Sequence, residues 1–248
     1  MTLARDTRTV FRRQMMLAVR NPMWVIVGLL QPLCFLYLFG PLLGPVLRVG
    51  NAYQVFVPGL LVNLAMVNTV FVGFNLIAEL RAGLVERMRV TPVSRLALLL
   101  GRCGRDILTL LAQSLMITLL AVPLGLQVRL GDLLLACALL ALVALTLSAT
   151  SYALALRLRS EDALSPLLNT VIMPLLLLSG ILLPMTYAPG WLQVAALLNP
   201  FSWAVDATRA LFTGHPGDPA VLAALALIGA LAVAAVAWAA RSFARGLR

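Results

Sequence analysis

Six stretches of this chain, at 24–43, 54–78, 107–126, 133–156, 164–183 and 219–240, run nearly free of charge. Each approaches or exceeds the roughly 20 residues that a helix needs to cross a ~30 Å hydrocarbon core. In lipid every backbone polar group must find its partner inside the protein, so runs of this length read as helices. The pattern predicts an all-α membrane protein with one transmembrane domain over 1–248. Composition agrees: of 248 residues, 62% are hydrophobic and 11% charged, more apolar surface than a water-soluble globule of this length could hide. The start of the third segment is the least sharply marked, because Arg102, Arg105 and Asp106 interrupt an apolar run that begins at Leu96. Long arginines near a helix end can snorkel to the interface, so this helix can begin earlier than 107.

Arginine sets the orientation, since the chain has no lysine. Sixteen arginines fall before the first segment, in the second–third and fourth–fifth connections and after the sixth; only Arg48, Arg129 and Arg209 fall in the alternate connections. This asymmetry puts both termini in the cytoplasm and requires an even number of crossings, which six satisfies. The net charge of +10 therefore speaks of topology and anionic headgroups. Nucleic acid is not an expected partner, because aromatic residues are not interleaved with the basic ones. No cleavable signal peptide is expected either, as no short apolar core precedes a small-residue cleavage site. Cys34, Cys103 and Cys137 are too dispersed for a disulfide framework or thiolate site, and His215 is the single histidine, so no metal site is expected.

Two segments are neither spans nor plain loops. Within 1–22, Arg5, Arg8 and Arg12 share one flank of a helical wheel, while Val10, Phe11, Met15, Leu17 and Ala18 gather opposite, with Met16 and Val19 out of pattern. This predicts an interfacial helix in the cytoplasmic headgroup layer, stopped at Asn21-Pro22, although a basic tail that merely enforces topology also fits. In the 79–92 loop, Leu80, Leu84 and Met88 recur every four residues on a short helix closed by Thr91-Pro92. Such a helix suits docking in a protein groove, or serves as a solvated linker.

Within that loop, the run from Glu86, Arg87, Met88 and Arg89 through Thr91-Pro92 to Gly101-Arg102 resembles the first cytoplasmic loop of type-2 ABC transporter permeases, with daunorubicin-resistance-like drug permeases the nearest branch. Leu178-Ser179-Gly180-Ile181-Leu182-Leu183-Pro184, then Leu198-Asn199-Pro200-Phe201 and Asp206-Ala207-Thr208-Arg209, match a second stretch of that family. The resemblance spans essentially the whole chain. It implies a dimer of six-helix permeases, more simply a homodimer, in the cytoplasmic membrane. Each permease would dock one of two ABC ATPase subunits through a coupling helix carrying Leu80, Leu84, Glu86, Arg87, Met88 and Arg89. ATP and magnesium would bind the partner and this chain would hold no cofactor. The residues agree independently: a phosphate-binding Walker A loop needs a lysine, and there is none. The chain is thus expected to be a transporter permease and no enzyme.

The 184–218 segment has room for short helices at 190–198 and 200–212, with Asn199 capping the second and Pro200 at its first position. Trp191 and Trp203 suit the outer interface. The resemblance implies that these helices dip into the outer leaflet and narrow the exit, which makes Trp191, Asn199, Pro200 and Trp203 gate candidates; an interface-lying loop also fits. Asp206 and Arg209 read as a surface ion pair of little worth, and His215 as a residue of a turn-rich loop. Polar groups inside spans are costly unless they face protein or water, so Asn63, Asn68, Asn75, Asn169 and Thr170 are pathway candidates, with interhelical glue as the competing role. Asn68 and Asn75, seven apart, share a face, and Pro166 and Pro174 predict a bend or break in the fifth segment. Gln31, Gln113, Ser114, Thr118, Ser148 and Ser151 read as packing or interhelical hydrogen bonds.

No carboxylate or basic pair is expected at mid-span, which disfavours an ion-coupled carrier. Clustered acid, base and nucleophile groups for an embedded enzyme are missing as well. The function so read is export of hydrophobic, drug-like or antibiotic molecules. The alternative is a lipid-linked polysaccharide, glycolipid or lipid exporter of the same fold.

Overall fold

The computed structural model describes residues 3–20, 23–42, 51–82, 94–181 and 185–246. Among these, all regular structure is helical. The helices are α1 (Leu3–Arg20), α2 (Met23–Cys34), α3 (Ala52–Val70), α4 (Gly73–Arg81), α5 (Arg95–Ala121), α6 (Leu130–Leu158), α7 (Glu161–Leu177), α8 (Gly190–Leu197), α9 (Pro200–Phe212) and α10 (Pro219–Gly246). Four helical stretches, Ala52–Arg81, Arg95–Leu124, Leu130–Leu158 and Pro219–Ala244, are long and apolar enough to cross a membrane; Ile26–Leu42 is a shorter apolar helix.

Helix α6 is the post around which the bundle is built, packing on α3, α4, α5, α7, α9 and most extensively on α10. Lipid gives apolar helices no hydrophobic reason to associate, so close backbone approach must supply the attraction. Small residues provide it. Ala136, Ala144, Ser148, Ser151 and Ala155 of α6 are buried, as are Ala224, Ala232, Ala235 and Ala239 of α10.

Helix α5 starts at Arg95, well before 107, capped by the Ser94 hydroxyl, which accepts from the Ala97 amide at 3.2 Å. Its 27 residues make it about 40 Å long, more than a bilayer core needs. The surplus first turns pack against α1. A Cβ on Gly101 would sit 2.7 Å from Val10 Cγ1, so only glycine lets the two helices come this close. Val10 and Phe11 of α1 thus meet α5 at Gly101 and Gly104 and Asp6 and Gln14 are buried, while Leu17 stays exposed along with Arg5, Arg8, Arg12, Arg13 and Arg20.

Two expectations about continuity are revised. The 54–78 segment is not one helix: it breaks at Phe71-Val72 between α3 and α4. Ser151 of α6 sustains the break, accepting from the Gly73 amide at 2.9 Å and donating to the Val70 carbonyl at 2.5 Å. Both backbone groups that the break frees are thus satisfied away from water. Conversely, Pro166 and Pro174 do not divide α7. Each proline removes a single backbone bond, the one its missing N–H would give to the carbonyl of Asp162 or of Thr170, and the helix runs on past both.

Long-range contacts sort the elements to two ends. At one end the Arg81–Glu161 pair joins α4 to α7 at 3.1 Å, and Arg95 donates to the Ala244 carbonyl of α10. At the other, Asn51 caps α3 through the Tyr53 amide at 3.0 Å and also donates to the Gly125 carbonyl in the α5–α6 connection. Of the described connection arginines, Arg81, Arg95, Arg157 and Arg159 lie at the first end and Arg129 and Arg209 at the second.

Candidate functional site

The arginine-rich end is organised by buried charge. Glu79, near the end of α4, pairs with Arg102 of α5, whose side chain is 4% exposed. One turn on, Asp106 pairs with Arg105 at 3.0 Å and accepts from the Tyr152 hydroxyl of α6 at 2.6 Å. A snorkelling Arg102 is therefore corrected: this arginine turns into the bundle. A charge removed from water demands a partner, and Glu79 lies close enough to provide one. Leu80, half-buried, packs against the core. Leu84, Glu86, Arg87, Met88 and Arg89 lie outside the described residues. The described flanks nonetheless show what the loop is tied to: α4 grips α5 inside the bundle through Glu79 and α7 at the surface through Arg81.

The intramembrane amides divide into two groups. Asn68 donates to Gln113 Oε1 at 2.9 Å, and a Cβ on Gly28 would lie 3.1 Å from Gln113 Nε2. The pair thus fills a junction of α2, α3 and α5, as interhelical glue does. Asn75 belongs to the separate helix α4 and is exposed; Asn63 is half-buried. On α7 a single seam of Leu164, Leu168 and Ile172 is buried. Asn169 and Thr170 are exposed beside it, Asn169 donating to the Ser165 carbonyl at 2.9 Å.

At the arginine-poor end the two short helices stand where they were expected. Asn199 accepts from the Phe201 amide at 3.0 Å, with Pro200 at the first position of α9. Its amide group also donates to the Leu175 carbonyl of α7 at 2.7 Å. Trp203 Nε1 donates to the Leu197 carbonyl at 3.1 Å and Trp191 is exposed. Helix α9 is no loop on the surface. It packs on α3, α6 and α10, burying Phe201, Val205, Leu211 and Phe212.

Arg209 is where sequence reasoning fell short. The ion pair with Asp206 exists at 3.6 Å, but the Arg209 side chain is only 11% exposed. Nε donates to the Val55 carbonyl at 3.1 Å, and one terminal nitrogen donates to the carbonyls of Gly180 and Ile181 at 2.6 and 3.2 Å. Burial draws the guanidinium below its ordinary pKa and the Asp206 charge pulls it back; an arginine stays charged through such shifts. A basic residue stranded in an arginine-poor connection was the signal that could have found it.

The matching runs around 178–181 and 198–209 thus meet in space through Arg209, which donates to the Gly180 and Ile181 carbonyls. The profile of the family described as ABC-2 type transporter matches residues 5–213, which includes both. The chain belongs to that family. It is 31% identical over 201 residues to a transport permease, ycf38, of Cyanophora paradoxa, covering 78% of this chain and 69% of the relative. It is 29% identical over 220 residues to the daunorubicin resistance ABC transporter permease protein DrrB1 of Streptomyces coeruleorubidus, covering 87% and 78%. As an ABC-2 family permease it is a multi-pass membrane protein whose relatives carry out transport.

Proposed function

We propose that this chain is the membrane subunit of an ATP-driven exporter that moves hydrophobic, drug-like molecules out across the cytoplasmic membrane. Six crossings carry it, formed by the four long helices together with the α2 stretch and α7, with both termini inside. A separate pair of ABC ATPases, holding ATP and magnesium, drives a dimer of identical permeases through the 79–92 loop. The observation that carries this reading is the lopsided burial of α7. One seam is covered while Asn169 and Thr170 are open on the protomer surface, and polar side chains facing hydrocarbon are costly. A second protomer with a shared, partly hydrated route between the two covers them. The neutral character of these groups suits an amphiphilic, largely apolar cargo, and the likeness to a daunorubicin resistance permease favours drugs over glycolipids.

The test is coexpression with the cognate ATPase and reconstitution into proteoliposomes. ATP-dependent movement of daunorubicin supports the reading; movement of a lipid-linked glycan alone shifts the cargo to the alternative. Cysteine labelling from each side places the termini. Labelling of the N-terminus from outside contradicts the topology.

A further inference from the structure

We propose that Arg209 is the latch of the outer end: a positioning residue that holds α3 and the turn after α7 together and whose bonds are released when cargo leaves. The proposal rests on the topology and transport reading above.

The ion pair does not explain where this side chain sits. Asp206 is 61% exposed and 3.6 Å away, whereas the guanidinium lies inside, among backbone carbonyls of two other elements. Those carbonyls are presented by local geometry. Gly180 adopts a φ of +69°, the left-handed region that glycine enters freely at the end of a helix. This turns the chain so that its carbonyl and that of Ile181 meet the guanidinium. Behind them the backbones already touch, since a Cβ on Gly59 of α3 would lie 2.4 Å from the Ile181 oxygen. At the start of α9, Asn199 holds the Leu175 carbonyl of the same α7 end.

Helix α9 therefore grips the α7 end twice, at Asn199 and at Arg209, and α3 once. Helix α9 is fixed among α3, α6 and α10, while α7 has only one buried seam. Within its own protomer the outer end of α7 is thus the more loosely held element, and Arg209 ties it to α9. Hydrogen bonds from a guanidinium to neutral carbonyls exchange for water without leaving an unpaired charge in lipid. This makes the contact reversible in a way that a greasy seam is not.

The experiment uses the permease–ATPase complex in proteoliposomes, with Cys34, Cys103 and Cys137 replaced by serine and Ile181→Cys as reporter. Ile181 is 3% exposed, and its contact with Arg209 is made by the backbone. A membrane-impermeant maleimide, added on the outer side, should react slowly without nucleotide and faster by on the order of tenfold or more during ATP turnover, as expected when a bond to a charged group is released. Arg209→Gln should give the fast rate without ATP, in a complex that still elutes intact. Gly59→Ala leaves Arg209 in place, yet drives a methyl against the Ile181 oxygen. It should also give the fast rate, and it carries the test if Arg209→Gln does not assemble. A slow rate in intact Arg209→Gln and Gly59→Ala complexes overturns the latch. So does a rate unchanged by ATP while the unsubstituted complex transports. Loss of ATP-driven transport by the unsubstituted complex instead sinks the transport reading beneath it.

Discussion

Glu79 and Arg102 show how strongly a single residue can be committed by burial. The Arg102 side chain is 4% exposed and Glu79 23%, so Glu79→Gln leaves a guanidinium largely shielded from water without its counter-charge. The expected loss is about 3 kcal/mol, toward the low end for uncovering a buried charge, because Glu79 retains some contact with solvent. Thermal unfolding of the detergent-solubilised permease measures it. Adding Arg102→Met to that variant should recover part of the loss, since the unpaired charge is then gone. Tyr152→Phe removes the 2.6 Å bond to Asp106, and should cost about 1–3 kcal/mol on the same assay. What was legible at this scale was local. Asn199-Pro200 announced a cap, and Leu3–Arg20 announced a helix. What was not legible depends on partners brought close only by folding: Ser151 reaches Gly73 across 78 positions, and Arg209 reaches Val55 across 154. Neither distance leaves a trace in spacing.

Among the elements, the extra length of α5 is used rather than merely tolerated. Its first turns hold α1 through the close approach at Gly101. Gly101→Leu should push α1 off without disturbing the span beyond it. Hydrogen exchange across 3–20 should rise markedly while that of 110–121 stays protected; equal protection of α1 in both proteins contradicts the packing account. The break between α3 and α4 was invisible in the sequence, because Phe71-Val72-Gly73 continues an apolar run with no proline to flag it. The serine that stabilises the break sits on another helix. The prolines of α7 do not break it, as apolar runs carry proline without breaking when only one backbone bond is lost.

For the whole molecule, apolar length and arginine asymmetry made the class and the two-ended organisation legible, since lipid imposes both on any chain that crosses it. The way the ends work was not legible, as it rests on contacts between elements and on a loop, 83–93, outside the described residues. Replacing Leu84 and Met88 by Asp should abolish ATPase docking while leaving the permease in the membrane. Co-purification of ATPase with permease measures this, and undiminished recovery removes the loop from the interface.

The most direct test of the account is transport by reconstituted permease with and without its ATPase, under ATP and under an imposed proton or sodium gradient. The chain has no lysine to hold a nucleotide phosphate, so cargo should move only when the ATPase and ATP are both present. Gradient-driven movement by the permease alone would contradict it.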